Sequence, residues 1–196
     1  MSPLVRPREF DERLALAAAM QVFWERGYEA TSMSDLTDRM GIQRPSLYAA
    51  FGGKKELFEA ALKAYAQLSL DYVDRKLRAG PTAKEAIRAY VQGIVDGPAG
   101  NNPDYGCLCV NTMVELGPHE PNFATITDDF RIKLTELFRR TIEDGIRNGE
   151  LPNRLNAAPI ARLLTVAAIG LSVTMKTKPD RSQVEHAAAD VLTLLE

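Results

Sequence analysis

The chain has 196 residues, 45% hydrophobic and 26% charged, with a net charge of −2; these are ordinary values for a water-soluble globular protein of one large domain, or of a small domain joined to a larger one. No apolar run approaches the roughly 20 residues that span a bilayer, and the charged stretch Met1 to Glu12 lacks the apolar core of a secretory signal, so no membrane partner and a cytoplasmic location are expected. The two cysteines, Cys107 and Cys109, lie too close in sequence to staple a fold.

Helix signals dominate and sustained strand alternation is nearly absent, so the expected fold class is all-α. The first helix runs from about Asp11 to Arg26, with Asp11 as N-cap, Gly27 as its stop, and Leu14, Ala17, Ala18, Val22 and Phe23 as a buried stripe. Thr31, Ser32 or Ser34 caps a second helix that ends near Met40, and Gly41 supplies a tight turn. Pro45 fits the first turn of a short third helix, where its missing N–H costs nothing, and Gly52-Gly53 stops it. A short helix held outward after a brace and a turn has the shape of a major-groove reader.

The fourth helix is long, from about Lys54 to Arg78, with a stripe of Leu57, Phe58, Ala61, Leu62, Tyr65, Leu68, Tyr72 and Leu77. Ala79-Gly80-Pro81 breaks it, and Thr82 caps a fifth helix reaching about Asp96. Gly97 to Gly106 is the clearest loop. A helix from Cys107 to Leu116 follows, then one from about Asn122 to Asn148, one from about Ala157 to Met175, and a last from about Arg181 to Leu195 with Val184, Ala187, Ala188, Val191, Leu192 and Leu195 on one face. The run Leu163 to Met175 is apolar nearly all round, so it must be buried all round; in a chain of this size one of its sides packs on another subunit, where Ala167 and Gly170 allow close approach.

From Phe10 to Leu62 the chain resembles the TetR family of one-component transcriptional regulators. The resemblance rests on Phe23-Trp24-Glu25-Arg26-Gly27-Tyr28-Glu29-Ala30-Thr31-Ser32, Asp35-Leu36, Met40-Gly41-Ile42, Pro45-Ser46-Leu47-Tyr48, Phe51 and Lys54-Lys55-Glu56-Leu57-Phe58. Arg6-Pro7-Arg8-Glu9-Phe10-Asp11 also looks like the opening of one subgroup. Beyond the first third, only the helix count and Gly106-Cys107-Leu108 with Val110 look familiar. The resemblance implies an all-helical homodimer of about nine helices per chain. Residues 1–53 would be the helix-turn-helix DNA-binding domain, and 54–196 a ligand-binding and dimerisation body pairing through its last two helices. It further implies repression at a pseudo-palindromic double-stranded operator, relieved by a small-molecule effector whose identity does not carry over.

The residues can be given roles on that expectation. Arg44 offers a bidentate fork to guanine, worth about 1–3 kcal/mol of discrimination, or else a phosphate contact. Gln43 and Ser46 donate to DNA or cap the helix. Pro45 and Ala49 present apolar surface to a thymine methyl, and the small Ala49 and Ala50 let the helix sit deep. The resemblance implies a phosphate contact for the Tyr48 hydroxyl, another for Lys54 at the start of helix four, where the positive helix end adds to the pull, and backbone contacts across the groove for Thr31 and Ser32. Leu36, Met40, Ile42, Leu47 and Phe51 read as core. The small negative net charge is weak evidence against DNA, because phosphates respond to local surface: Arg6, Arg8, Arg44, Lys54 and Lys55 gather on the expected DNA side, while acids such as Glu115, Asp128, Asp129 and Glu150 come later.

In the body, Tyr65, Tyr72, Tyr90, Met113, Phe123, Phe130 and Phe138 are effector-lining candidates by type, and each reads equally as core. Cys107 and Cys109 suit packing, since cysteine is among the most buried residues. Side chains two apart on a helix point about 200° apart, so the pair would not converge unless the segment is non-helical. With only His119 and His186 to help, no tetrahedral zinc site and no cofactor is expected. A thiol at a helix N-terminus has a lowered pKa, which leaves a thiol- or electrophile-responsive regulator sensing through Cys107 as an alternative. An enzyme finds little support, for the chain lacks a phosphate loop, a nucleophile elbow and an HExxH pair. A helical ligand-binding protein without DNA binding is the other rival, and the presence of Arg44, Tyr48 and Lys54 argues against it.

Overall fold

The computed structural model describes residues 10–97 and 105–196. Arg6, Arg8, the opening Arg6 to Glu9 and most of the expected loop, from 98 to 104, lie outside the described residues. Among those described there are nine α-helices and no strand, and the chain divides into two compact units between Ala64 and Tyr65.

The first unit holds α1 (Glu12–Arg26), α2 (Met33–Met40), α3 (Arg44–Phe51) and the opening of α4 (Lys54–Ala79). Asp11 caps α1, its carboxylate accepting from the N–H groups of Arg13 and Leu14. The inner face of α1 is Ala15, Ala19, Val22 and Phe23. The expected stripe was turned by about one residue: Leu14 is 71% exposed and Ala17 is exposed, because Ala15 and Ala19 share a face with Val22 and Phe23 and that is the face α2 covers. Ser32 caps α2 in a reciprocal capping box with Asp35. Gly41 takes a left-handed conformation, φ 67°, which any side chain would resist. Leu36, Ile42 and Leu47 are buried as expected, whereas Met40 and Phe51 are half-buried. Phe23 meets Phe58 edge-on with ring centres 4.8 Å apart, and Tyr28 lies 5.0 Å from Phe58. Ion pairs Arg26–Asp35 (2.6 Å) and Arg39–Glu25 (3.0 Å) tie α1 to α2.

The second unit holds the rest of α4 with α5 (Ala83–Asp96), α6 (Leu108–Glu115), α7 (Pro121–Arg147), α8 (Ala157–Thr174) and α9 (Arg181–Leu192); short 3-10 turns extend α8 and α9. Its core is the inner face of α7 (Phe123, Phe130, Leu134, Phe138, Ile142) against α8 and α5. Within α4, Leu70, Val73 and Leu77 are buried, but Leu68 and Tyr72 are exposed, so the expected stripe drifts away from the core. On α9, Val184, Ala188 and Leu192 point in, and Ala187 points out. With its extension, α8 spans Ala157–Thr177 and is long and apolar enough to cross a bilayer, at mean hydropathy 1.6, which the sequence reading did not anticipate. Its inner face (Ile160, Ala161, Leu164, Ala168, Leu171) packs as a core helix does, and Thr165 shares a 2.9 Å hydrogen bond with Thr135 of α7. Its outer face is not covered within the chain: Leu163, Val166 and Val173 are 52%, 65% and 41% exposed.

Candidate functional site

Helix α3 is short because Gln43, in extended conformation, starts it and Gly52, at φ 88°, stops it. Leu47 is its one fully buried side chain and anchors it. Positions 44, 45, 48 and 49 then fall together on the opposite face, and Arg44, Pro45, Tyr48 and Ala49 are all exposed, as is Gln43; Ser46 is half-buried. The helix thus shows the solvent a strip of one cation, one phenol and small apolar groups, set forward by the αL turn at Gly41.

Arg44 is held in place on this strip. Its Nη2 donates to Ser34 Oγ of α2 at 3.1 Å. Ser34 was considered only as a helix cap, and no sequence signal links positions ten apart on different helices. Lys54 sits with its Nζ 4.4 Å from the centre of the Tyr28 ring, a cation–π seat that keeps the ammonium near the α4 N-terminus. Ser32 is exposed, with its hydroxyl and backbone N–H both donating to Asp35. These bonds, the hydroxyl's first, hold the Asp35 carboxyl below its ordinary value. Thr31 is set back: it is 2% exposed and donates to the Gly27 carbonyl at 2.6 Å.

In the second unit, four of the six effector-lining candidates come together. Cys107 is the N-cap of α6, in extended conformation (φ −104°, ψ 125°). It therefore escapes the helical geometry that would have turned it away from Cys109, and the two thiols are hydrogen-bonding neighbours. The Tyr65 hydroxyl also bonds the Cys107 sulfur, and Tyr90 lies within electrostatic reach of both Cys107 and Tyr72. The Cys109 thiol, then the N–H of Val110, the Tyr65 hydroxyl and the N–H of Cys109, draw the Cys107 pKa down to about 7 against the effect of burial. Its proximity to Cys107, together with burial, pushes Cys109 well up. Burial, and then the charge on Cys107, raise Tyr65 and Tyr90, so both stay phenols. Tyr90 also meets Phe138 edge-on at 5.4 Å. Of the other two candidates, Phe130 is buried in the α7 core and Met113 is half-buried on α6.

An open groove of about 320 Å³ between α4 and α7 is a different kind of surface. Asp71, Asp74, Arg78, Lys133, Glu136 and Arg140 line it, and its walls pair with each other, as in Asp74–Arg78 at 2.8 Å. Among the described residues no group of three or more His, Cys, Asp or Glu is placed to hold a metal ion.

The chain matches two family models: "Bacterial regulatory proteins, tetR family" over residues 15–61, and "Tetracyclin repressor-like, C-terminal domain" over residues 83–191. It is 31% identical to the HTH-type transcriptional regulator YezE of Bacillus subtilis, over 97% of this chain and 99% of that one. It is 26% identical to the HTH-type transcriptional repressor ComR of Escherichia coli, over 96% and 90%. Among solved structures, a cysteine-substituted form of the TetR family regulator CifR, complexed with 26-base-pair double-stranded operator DNA, superposes with a TM-score of 0.84 at 33% identity, covering 96% of this chain and 98% of that one. The forward-set α3 in its brace, the helical body behind it and these matches along nearly the whole chain lead to one conclusion: this protein belongs to the tetR family and is a helix-turn-helix, DNA-binding regulator of transcription.

Proposed function

We propose that the protein is a cytoplasmic homodimeric repressor that works by binding rather than catalysis. Each subunit lays α3 in a major groove of a pseudo-palindromic operator, and a small effector in the second unit releases it. The observation that carries this reading is the exposed strip Arg44, Pro45, Tyr48 and Ala49 opposite buried Leu47. Arg44 reads a guanine edge, Gln43 and Ser46 donate to phosphate or base, Pro45 and Ala49 meet base methyls, and Tyr48, Ser32 and Lys54 hold phosphates. Thr31 supports the surface from behind, through its bond to Gly27. The operator complex of CifR and the repressor ComR support the DNA-bound repressing state.

The outer apolar face of α8, with α9, closes against the second copy. The effector enters the cluster of Tyr65, Tyr72, Tyr90 and Cys107. Because Tyr65 lies on α4, which follows directly after the reader, an effector that favours one position of α4 changes the spacing of the two readers. It does so only through its differential affinity for the two spacings.

Selection of bound sequences from a random double-stranded library tests the reading. An inverted repeat with half-site centres about 10 base pairs apart, or a multiple of that, is the expected product. A pool no different from the input would contradict it.

A further inference from the structure

The DNA-binding account makes no use of the chemistry gathered at Cys107. Its sulfur stands at the N-cap of α6 and is half-buried. The Tyr65 hydroxyl, the Cys109 thiol and two backbone N–H groups converge on it, and every one of these is a donor. Donors favour the thiolate, the nucleophilic form of cysteine. Cys109, two residues on, is fully buried and keeps its proton. The structure therefore divides the pair: one sulfur is activated and reachable, the other is a fixed hydrogen-bond donor. Tyr65 remains a phenol beside the thiolate, placed to donate to an oxygen that arrives there.

We propose that Cys107 covalently captures a small α,β-unsaturated carbonyl compound, with Tyr65 as the hydrogen-bond donor to its carbonyl oxygen. This rests on the effector reading above and names the effector's class. The Cys107 proton passes to water. The thiolate forms a carbon–sulfur bond to the β-carbon as the carbon–carbon π pair shifts to make an enolate. Tyr65 stabilises the enolate oxygen, and the α-carbon then takes a proton from water. The product is a neutral thioether, and no oxidant or leaving group takes part. Capture removes a negative charge from the start of α6 and puts new atoms against Tyr65 and Tyr90, so it acts on α4 directly.

Methyl vinyl ketone is the probe, with intact-mass and peptide-mapping readouts on the full chain without DNA. One adduct per chain on Cys107 is expected, at a rate that rises with pH through about 7. Tyr65→Phe, checked for folding by its circular-dichroism melt, should react about tenfold more slowly at pH 7, the effect of raising the thiol pKa by about one unit. Cys107→Ser should gain no mass. On the selected operator, the wild-type adduct should dissociate and treated Cys107→Ser should stay bound. Addition at Cys109, a rate that rises only in the range of an ordinary thiol, or an adduct that holds DNA as tightly as untreated protein would each overturn the proposal. If Tyr65→Phe does not fold, the wild-type rate profile and the site of addition still decide. Failure of the DNA-binding reading would show separately, as untreated protein without operator preference.

Discussion

At the scale of single residues, the reader's specificity rests on one long side chain. Ala49 and Ala50 offer no hydrogen bonds, and Tyr48 is placed for the backbone, so Arg44 is the principal base-reading group on α3. Arg44→Ala should cost about 1–3 kcal/mol of discrimination at one base pair of each half-site, measured by competition between the selected operator and its single-base variants. Ser34 acts through Arg44: it fixes the guanidinium from α2 at 3.1 Å. Ser34→Ala should therefore weaken discrimination at the same base pair and at no other. Loss spread evenly across all positions would mark Ser34 as a phosphate contact instead. Neither the Ser34–Arg44 bond nor the seat of Lys54 over Tyr28 was legible in the sequence, because both join residues on different elements. The resemblance located the reader, but only the packing of α2 against α3 shows what holds it.

At the scale of elements, the ends of the helices were legible and their faces were less so. Asp11, Ser32, Thr82 and Gly41 carry local chemistry that fixes a boundary wherever it occurs, and each does so here. The buried face of a helix is set by its neighbours. Both α1 and α4 carry more than one apolar row, and partner helices, not periodicity, decide that Ala15 and Ala19 go in and Leu14 stays out. The approach of Cys107 to Cys109 was hidden for the same kind of reason: it depends on α6 beginning at Leu108, one residue past the first cysteine. The α2 capping box has a measurable consequence. The Asp35 carboxyl is held below its ordinary value mainly by the Ser32 hydroxyl, with further help from the Ser32 N–H and Arg26. A depressed carboxylate stabilises the fold at pH above its unfolded value and loses that contribution as pH falls through the folded one. In thermal melts, Asp35→Asn should lower Tm at pH 7, and the gap to wild type should close below about pH 4. A gap independent of pH would assign the effect to packing. Ser32→Ala, which removes the cap, should cost about 1 kcal/mol in the same melts.

At the scale of the whole molecule, the outer face of α8 carries the argument for a dimer. Leu163, Val166 and Val173 lie exposed along a helix whose other face is core, and such a row is covered when a second copy packs on it. Val166→Glu places a charge in that contact, so light scattering should find wild type at twice the chain mass and the variant at the chain mass. A variant that stays dimeric would move the interface elsewhere. A monomer should also lose most of its operator affinity, because two linked readers bind far more tightly than either one. The sequence reading reached this face through the all-round apolar run from Leu163 to Met175, since it needed no knowledge of the neighbours.

The central claim is that α3 reads DNA sequence through Arg44. The most direct test is fluorescence anisotropy of wild type and Arg44→Ala on the selected operator and on a scrambled duplex of the same composition, across a salt series. The account predicts that wild type prefers the operator at every salt concentration. Arg44→Ala should lose most of that preference while still binding both duplexes through salt-sensitive phosphate contacts. Equal affinity of wild type for the two duplexes at all salt concentrations, or an Arg44→Ala variant with its preference intact, would contradict it.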